Sequence, residues 1–185
     1  RILLCCEATY LNTGYATYGR EIMRRLFHTN KYDLAEFASY GDDADPRTQE
    51  IPWKFYGNLP DDTNKQEVDT YNEVATNQFG EWRFEDVLLD FLPDIVFDIR
   101  DFWMLDYQER SPFRRLFNWV IMPTVDAEPQ NEQWLSTYAS ADAVFNYSDW
   151  GLDLLKRESN DKIKCLGSAP PSANAAYTPV ADKKA

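Results

Sequence analysis

Apolar positions along the chain fall into two recurring patterns. Short runs mark strands: "ILLCCEA" (2–8) has the length and character of a parallel strand buried on both faces, "DIVFDI" (94–99) of a short buried one, and "NWVIMPTV" (118–125), "AVFNYS" (143–148) and "KIKCLG" (162–167) read as further strands. "YDLAEFASY" (32–40) alternates well enough for another strand. Between these runs the apolar residues take a helical spacing: Ile22, Met23 and Leu26 in "YGREIMRRLFH", Phe84, Val87, Leu88 and Phe91 in the segment stopped by Pro93, and Trp134, Leu135, Tyr138 and Ala141. "SDWGLDLLKRE" predicts a further helix with Ser148 as its N-cap, and a short one is expected near "SPFRRLF" (111–117).

Strand and helix therefore alternate along most of the chain, which with right-handed crossovers predicts a doubly wound parallel sheet, an α/β fold of Rossmann-like type. Residues 1–168 are expected to form this unit. Two segments break the pattern. Over 41–78, acidic side chains outnumber basic ones three to one and Pro46, Pro52 and Pro60 interrupt, so the stretch reads as a surface excursion holding one short strand, "WKFYGNL". Residues 169–185 are rich in Ala, Pro and Lys without an apolar period and read as an interdomain linker or tail.

At 185 residues there is material for one good core and not for two full domains. The net charge of −12 argues against a nucleic-acid or anionic-membrane surface, because either partner would be repelled before short-range contacts formed, and leaves a neutral ligand or a local cationic pocket open. No apolar run approaches the ~20 residues of a membrane helix, and no signal-peptide pattern opens the chain. A chain opening on Arg1 rather than methionine reads as a trimmed one. Three cysteines, with Cys5 and Cys6 adjacent in a strand, cannot form a secreted disulfide framework and point to a reducing, cytoplasmic setting. With His28 the only histidine, no metal site and no Ser-His-Asp triad is expected, and His28 itself reads as a solvated residue at a helix end.

In such sheets ligands bind beyond the carboxyl ends of the strands, so the segments following each strand hold the candidate chemistry. "ATYLNTGYATYGRE" (8–21) lacks the G-x-G-x-x-G of dinucleotide folds and the Lys-Ser/Thr of a phosphate-binding loop. Gly14 reads either as a strand-to-helix turn needing a positive φ or as a close backbone approach to an anion at a helix N-terminus. Asp126 and Glu128 emerge together from an apolar strand. They suit hydroxyl binding or proton transfer, and equally the acidic start of a helix. Arg100 and Asp101 read as a local ion pair on the rim, and Trp103, Trp134 and Trp150 as core or rim residues before sugar platforms.

Taken in order, these strand ends resemble the N-terminal lobe of GT-B glycosyltransferases, in particular family 4. "GYATYGREIMRRL", "PDIVFDIRDFW", "VIMPTVDAEPQNEQW", "ADAVFNYSDWGLDLLKRES" and "IKCLGSAPPSANAAYTP" are similar to successive motifs of that lobe and cover nearly the whole chain. The chain departs from the family where it has Asp126 in place of a common His, Arg100-Asp101 in place of His-Asp, and Ser172-Ala173-Asn174 in place of Gly-Val-Asp.

The resemblance implies the acceptor-binding half of a retaining transferase that uses a nucleotide-sugar donor as co-substrate, with no tightly bound cofactor. It implies a sugar or lipid-linked acceptor and a C-terminal donor lobe that would begin after Pro179. On this basis Gly14 and Tyr15 approach the donor diphosphate, Asp126 is the candidate catalytic residue, and Asp101, Trp103, Glu128, Ser148 and Trp150 bind the acceptor. A non-catalytic binding domain of the same fold is the alternative, and a small flavodoxin-like oxidoreductase is poorly supported by the loop chemistry.

Overall fold

The computed structural model describes residues 1–172. Seven strands form one parallel sheet: β1 (Ile2–Glu7), β2 (Leu34–Ser39), β3 (Lys54–Gly57), β4 (Ile95–Asp98), β5 (Asn118–Ile121), β6 (Ala143–Asn146) and β7 (Cys165–Ser168). Their order is β3-β2-β1-β4-β5-β6-β7. All six ladders are parallel, with Ile2 opposite both Leu34 and Ile95 in the central pair of registers. The fold is the expected doubly wound, Rossmann-like α/β sheet.

Side-chain alternation along β1 sorts the core into two layers. Ile2, Leu4 and Cys6 pack with Met23 of α1 (Gly14–His28) on one face; Leu3 and Cys5 lie on the other. That second face is covered by α3 (Phe84–Phe91), α4 (Phe102–Leu105), α5 (Tyr107–Arg110), α6 (Glu132–Ser140) and α7 (Asp149–Glu158), through Phe84, Leu105, Tyr107, Tyr138 and Leu155. One helix on one face and five on the other follow from crossovers of a single hand that turn left from β1 to β2 and right from β4 to β7. The chain reverses between β1 and β4, and a crevice opens there. The three cysteines are free, Cys5 and Cys6 being buried on opposite faces.

The excursion over 41–78 does more than hold a short strand. Its β3 pairs with β2 as the sheet edge, and it carries a helix the sequence pattern did not predict, α2 (Lys65–Glu73), capped by Asn64. The helix expected over 78–94 is confined to Phe84–Phe91. Gly80 interrupts it at φ 121°, and a Cβ there would overlap the Phe37 ring and stand 2.8 Å from the Tyr107 hydroxyl. Near "SPFRRLF" there is a single 3-10 turn, Arg114–Leu116, while α4 and α5 occupy 102–110, where no helix was expected.

The expected linker lies mostly outside the described residues, but its first residue is fixed. Ala169 donates its N–H to the Asn146 carbonyl (2.8 Å) and accepts from the Tyr18 hydroxyl (2.7 Å).

Glu36 of β2 is buried under the loop that follows β1. Its carboxylate accepts from the Thr9 N–H (3.2 Å), the Thr9 hydroxyl (2.7 Å) and the Trp53 indole (2.6 Å). Burial raises this carboxyl above its ordinary value of 4.5, against the lowering effect of those hydrogen bonds. The folded protein therefore holds a proton at Glu36 more readily than the unfolded chain does. The corresponding stability is complete below pH 4.5 and is lost as pH rises through the folded value. Urea unfolding of the wild type and Glu36→Gln across that window should show the wild-type advantage shrinking as pH rises; parallel curves would count against it.

Candidate functional site

Strand β1 ends at Glu7, β4 at Asp98 and β5 at Ile121, and the segments beyond them meet over the crevice. Thr13 caps α1 by accepting from the Ala16 N–H (3.2 Å), and its hydroxyl donates to the Glu7 carboxylate. Tyr15, in the first turn of α1, spans the crevice. Its hydroxyl donates to Asp101 Oδ1 (2.7 Å) beyond β4 and accepts from the Thr124 hydroxyl (2.7 Å) beyond β5. Three strand ends are thus joined by one side chain.

Burial pushes the Tyr15 hydroxyl up, and the hydrogen bond to Asp101 adds to the shift, so Tyr15 acts as a donor and not as a phenolate base. Tyr147 and Tyr138 are raised by burial in the same way, and the oxygens of both lie buried without a partner among the described residues. Glu7, Gly14, Tyr15, Tyr18 and Tyr147 line an open cavity of about 380 Å³ beside this cluster, with Pro171 also on its wall. Its chemistry is that of hydroxyls, aromatic faces and a carboxylate.

The expected site residues are brought together only in part. Gly14, Tyr15 and Asp101 are brought together. Gly14 is not there for a positive φ, the first of the two reasons weighed from sequence. A Cβ there would meet nothing within 4 Å; it leaves open space at the helix start. The close packing falls to Gly19, where a Cβ would stand 3.1 Å from Cys6 Sγ of β1.

Ser148 is the N-cap of α7, accepting from the Gly151 N–H (3.0 Å), next to the cavity-lining Tyr147. A Cβ at Gly151 would overlap the Asn146 amide, which itself holds the Pro123 carbonyl (3.0 Å) and the Ser148 N–H (3.1 Å). Much of the "NYSDWG" block is therefore explained by joining β6 to α7.

Trp103 and Trp150 are about half exposed on the rim, with Trp103 edge-on to Trp134 at 6.4 Å, while Trp134 stacks on the buried Phe102 at 5.3 Å. Asp126 is exposed two residues beyond Thr124, so its Cα lies within about 7 Å of the Thr124 Cα. Glu128 stands apart. Its carboxylate pairs with Arg157 (2.5 Å) in the last turn of α7, nine residues and about 13 Å along the helix from the Ser148 cap.

The rim ion pair expected between Arg100 and Asp101 does not form. Arg100 is fully buried and pairs with Asp98, two residues back and on the same side of the strand, while also donating to the Ser39 hydroxyl (3.0 Å) and the Phe79 carbonyl. Asp98 accepts in addition from Gln108 (2.6 Å). The site residues that sequence reasoning missed are Glu7, Thr13, Thr124 and Tyr147. Glu7 alone gave a signal, as the single charge closing an apolar strand.

No protein-family model matches the sequence, and no curated protein sequence does. Solved structures do. The chain is similar over 99% of its length to Arabidopsis thaliana UGT89C1, crystallised in complex with UDP-L-rhamnose, at TM-score 0.57 and 9% identity. Over 94% of its length it is similar to sucrose-phosphate synthase of Thermosynechococcus elongatus, at TM-score 0.53 and 13% identity. It spans 55% of the former chain and 89% of the latter. The likeness is one of fold, the parallel Rossmann-like α/β sheet that this chain shares with both proteins. No helix among the described residues is long and apolar enough to cross a membrane.

Proposed function

We propose that this chain is the N-terminal, acceptor-binding lobe of a retaining, nucleotide-sugar-dependent glycosyltransferase of the family 4 type, working with a C-terminal donor lobe. The observation that carries the reading is the convergence of Tyr15, Asp101 and Thr124 at the reversal between β1 and β4, directly in front of the α1 N-terminus. Open space at Gly14 leaves room for an approaching diphosphate, whose charge is met by the other lobe, since the Glu7 carboxylate already sits at the Thr13 cap of α1.

Asp101 and the exposed Asp126 offer acceptors to a sugar or lipid-linked acceptor's hydroxyls, and Tyr15, held protonated, fixes the orientation of Asp101. Trp103 and Trp150 supply apolar faces on the rim, and Ser148 keeps the α7 start in place beside them. Glu128, engaged by Arg157, is the weakest member of the proposed set. The leaving diphosphate takes part in deprotonating the acceptor, so this lobe supplies orientation more than a strong base. Buried, unpaired Cys5 and Cys6 suit a reducing, cytoplasmic location.

The test is sugar transfer. The complete gene product, assayed with a panel of nucleotide sugars, should transfer sugar, while the 185-residue chain alone should show negligible turnover and weak donor affinity. Efficient turnover by the isolated chain, or no transfer by the complete protein with any donor, would overturn the reading.

A further inference from the structure

The cavity beside Tyr15 carries an unbalanced charge. Glu7 projects from the end of β1 into its wall, and Asp101 lies across Tyr15 from it. No Lys, Arg or His lines the cavity among the described residues. The nearby cations are already paired: Arg25, which lines an adjoining pocket sharing Thr13, Gly14, Tyr18 and Pro171 with this one, meets Glu21 (2.9 Å). Arg20 donates to the carbonyls of Thr9 (2.6 Å) and Leu11 (3.3 Å), and Arg100 is buried against Asp98.

The feature that would ordinarily favour an anion is the start of α1, and it already has one: the Glu7 carboxylate accepts from Thr13, the residue that caps that helix. A phosphate monoester entering here would meet a fixed like charge with no compensating cation. A neutral polyol would meet complementary groups. Its hydroxyls can donate to Glu7 and exchange hydrogen bonds with Thr13, and its C–H faces can lie on Tyr15, Tyr18 and Tyr147.

We propose that this cavity selects a neutral polyhydroxyl acceptor over its phosphorylated counterpart, with Glu7 as the residue that sets the discrimination. The proposal rests on the reading of the chain as an acceptor-binding lobe and narrows it to one substrate class.

Matched pairs test it on the 185-residue chain, which has its own two-layer core. Glucose, fructose and myo-inositol are each titrated against the corresponding monophosphate and followed by the protein's NMR shifts at Tyr15, Tyr18 and Tyr147. At least one neutral member should bind about tenfold or more tightly than its phosphate. Glu7→Gln should weaken the neutral ligand and narrow the ratio to about twofold, while Glu7→Asp, which keeps the charge, should retain the preference for the neutral member.

Equal or tighter binding of the phosphates, a ratio unchanged in Glu7→Gln, or no binding by any pair up to the solubility limit would each overturn the proposal. Failure of the glycosyltransferase reading would show separately, as absence of transfer by the complete protein with the neutral-ligand preference intact.

Discussion

Replacing Arg100 with alanine is expected to lower the stability of the chain by about 3–5 kcal/mol, measured as a fall in the urea midpoint at constant m-value. Asp98 and Arg100 are both completely shielded from solvent, and the guanidinium meets the carboxylate through two N–H groups. Taking Arg100 away leaves Asp98 charged in an apolar layer with only Gln108 donating to it. It also removes the Arg100 donor from the Ser39 hydroxyl, and the Phe79 carbonyl keeps only weaker donors from Ser39 (3.3 Å) and Tyr107 (3.2 Å). Burial then pushes the Asp98 carboxyl up, with the opposing Arg100 charge gone.

The loss is a large fraction of the roughly 5–15 kcal/mol that holds a domain of this kind together. If the single variant does not fold, the double variant Asp98→Leu/Arg100→Met keeps the idea testable. It removes both charges and should be more stable than Arg100→Ala, whereas a double variant as damaged as the single would mean that packing and not charge dominates.

Asp126→Ala in the complete protein is expected to lower sugar transfer about 10²-fold, the scale of a lost orienting contact. Its folding stability should change by no more than about 0.5 kcal/mol, as for an exposed side chain. The contrast between the two readouts is the point of the experiment. An unchanged transfer rate would make Asp126 a surface acid at the approach to α6 and shift the acceptor-side role to Asp101, whose position Tyr15 and Thr124 already fix.

The inner strands were legible because parallel strands buried on both faces leave apolar runs, and "KIKCLG" became a strand too, but as the sheet edge β7 with Leu166 exposed. The Ser148 cap and the Gly151 close approach were legible as a motif, although the physical reason for the glycine, the Asn146 amide beneath it, lies outside any local pattern. Arg100 was misread by adjacency. In an extended segment neighbours point to opposite faces, so the period of two already favoured Asp98 over Asp101. Glu7 was legible as a charge at a strand end but acquires meaning only when the strand order places the reversal beside it.

The remaining misses are tertiary. α4 and α5 are four-residue pieces packed around the Arg100 network, too short to show a helical period. The distant pairing that draws Glu128 to Arg157, and the Phe37 ring that excludes a side chain at position 80, depend on residues tens of positions away.

The two hydrogen bonds on Ala169 set the origin of a leash. Chain leaving that point passes Pro171 at the cavity wall, and each further residue extends it by at most about 3.5 Å. Anything tethered a few residues downstream is therefore presented at the mouth of the crevice at a local concentration on the order of millimolar, whatever its concentration in bulk. Weak individual contacts suffice under those conditions. For a C-terminal lobe of the kind proposed, cutting the backbone just after Ala169 would turn that encounter into an ordinary bimolecular one, diluted by the volume of the solution.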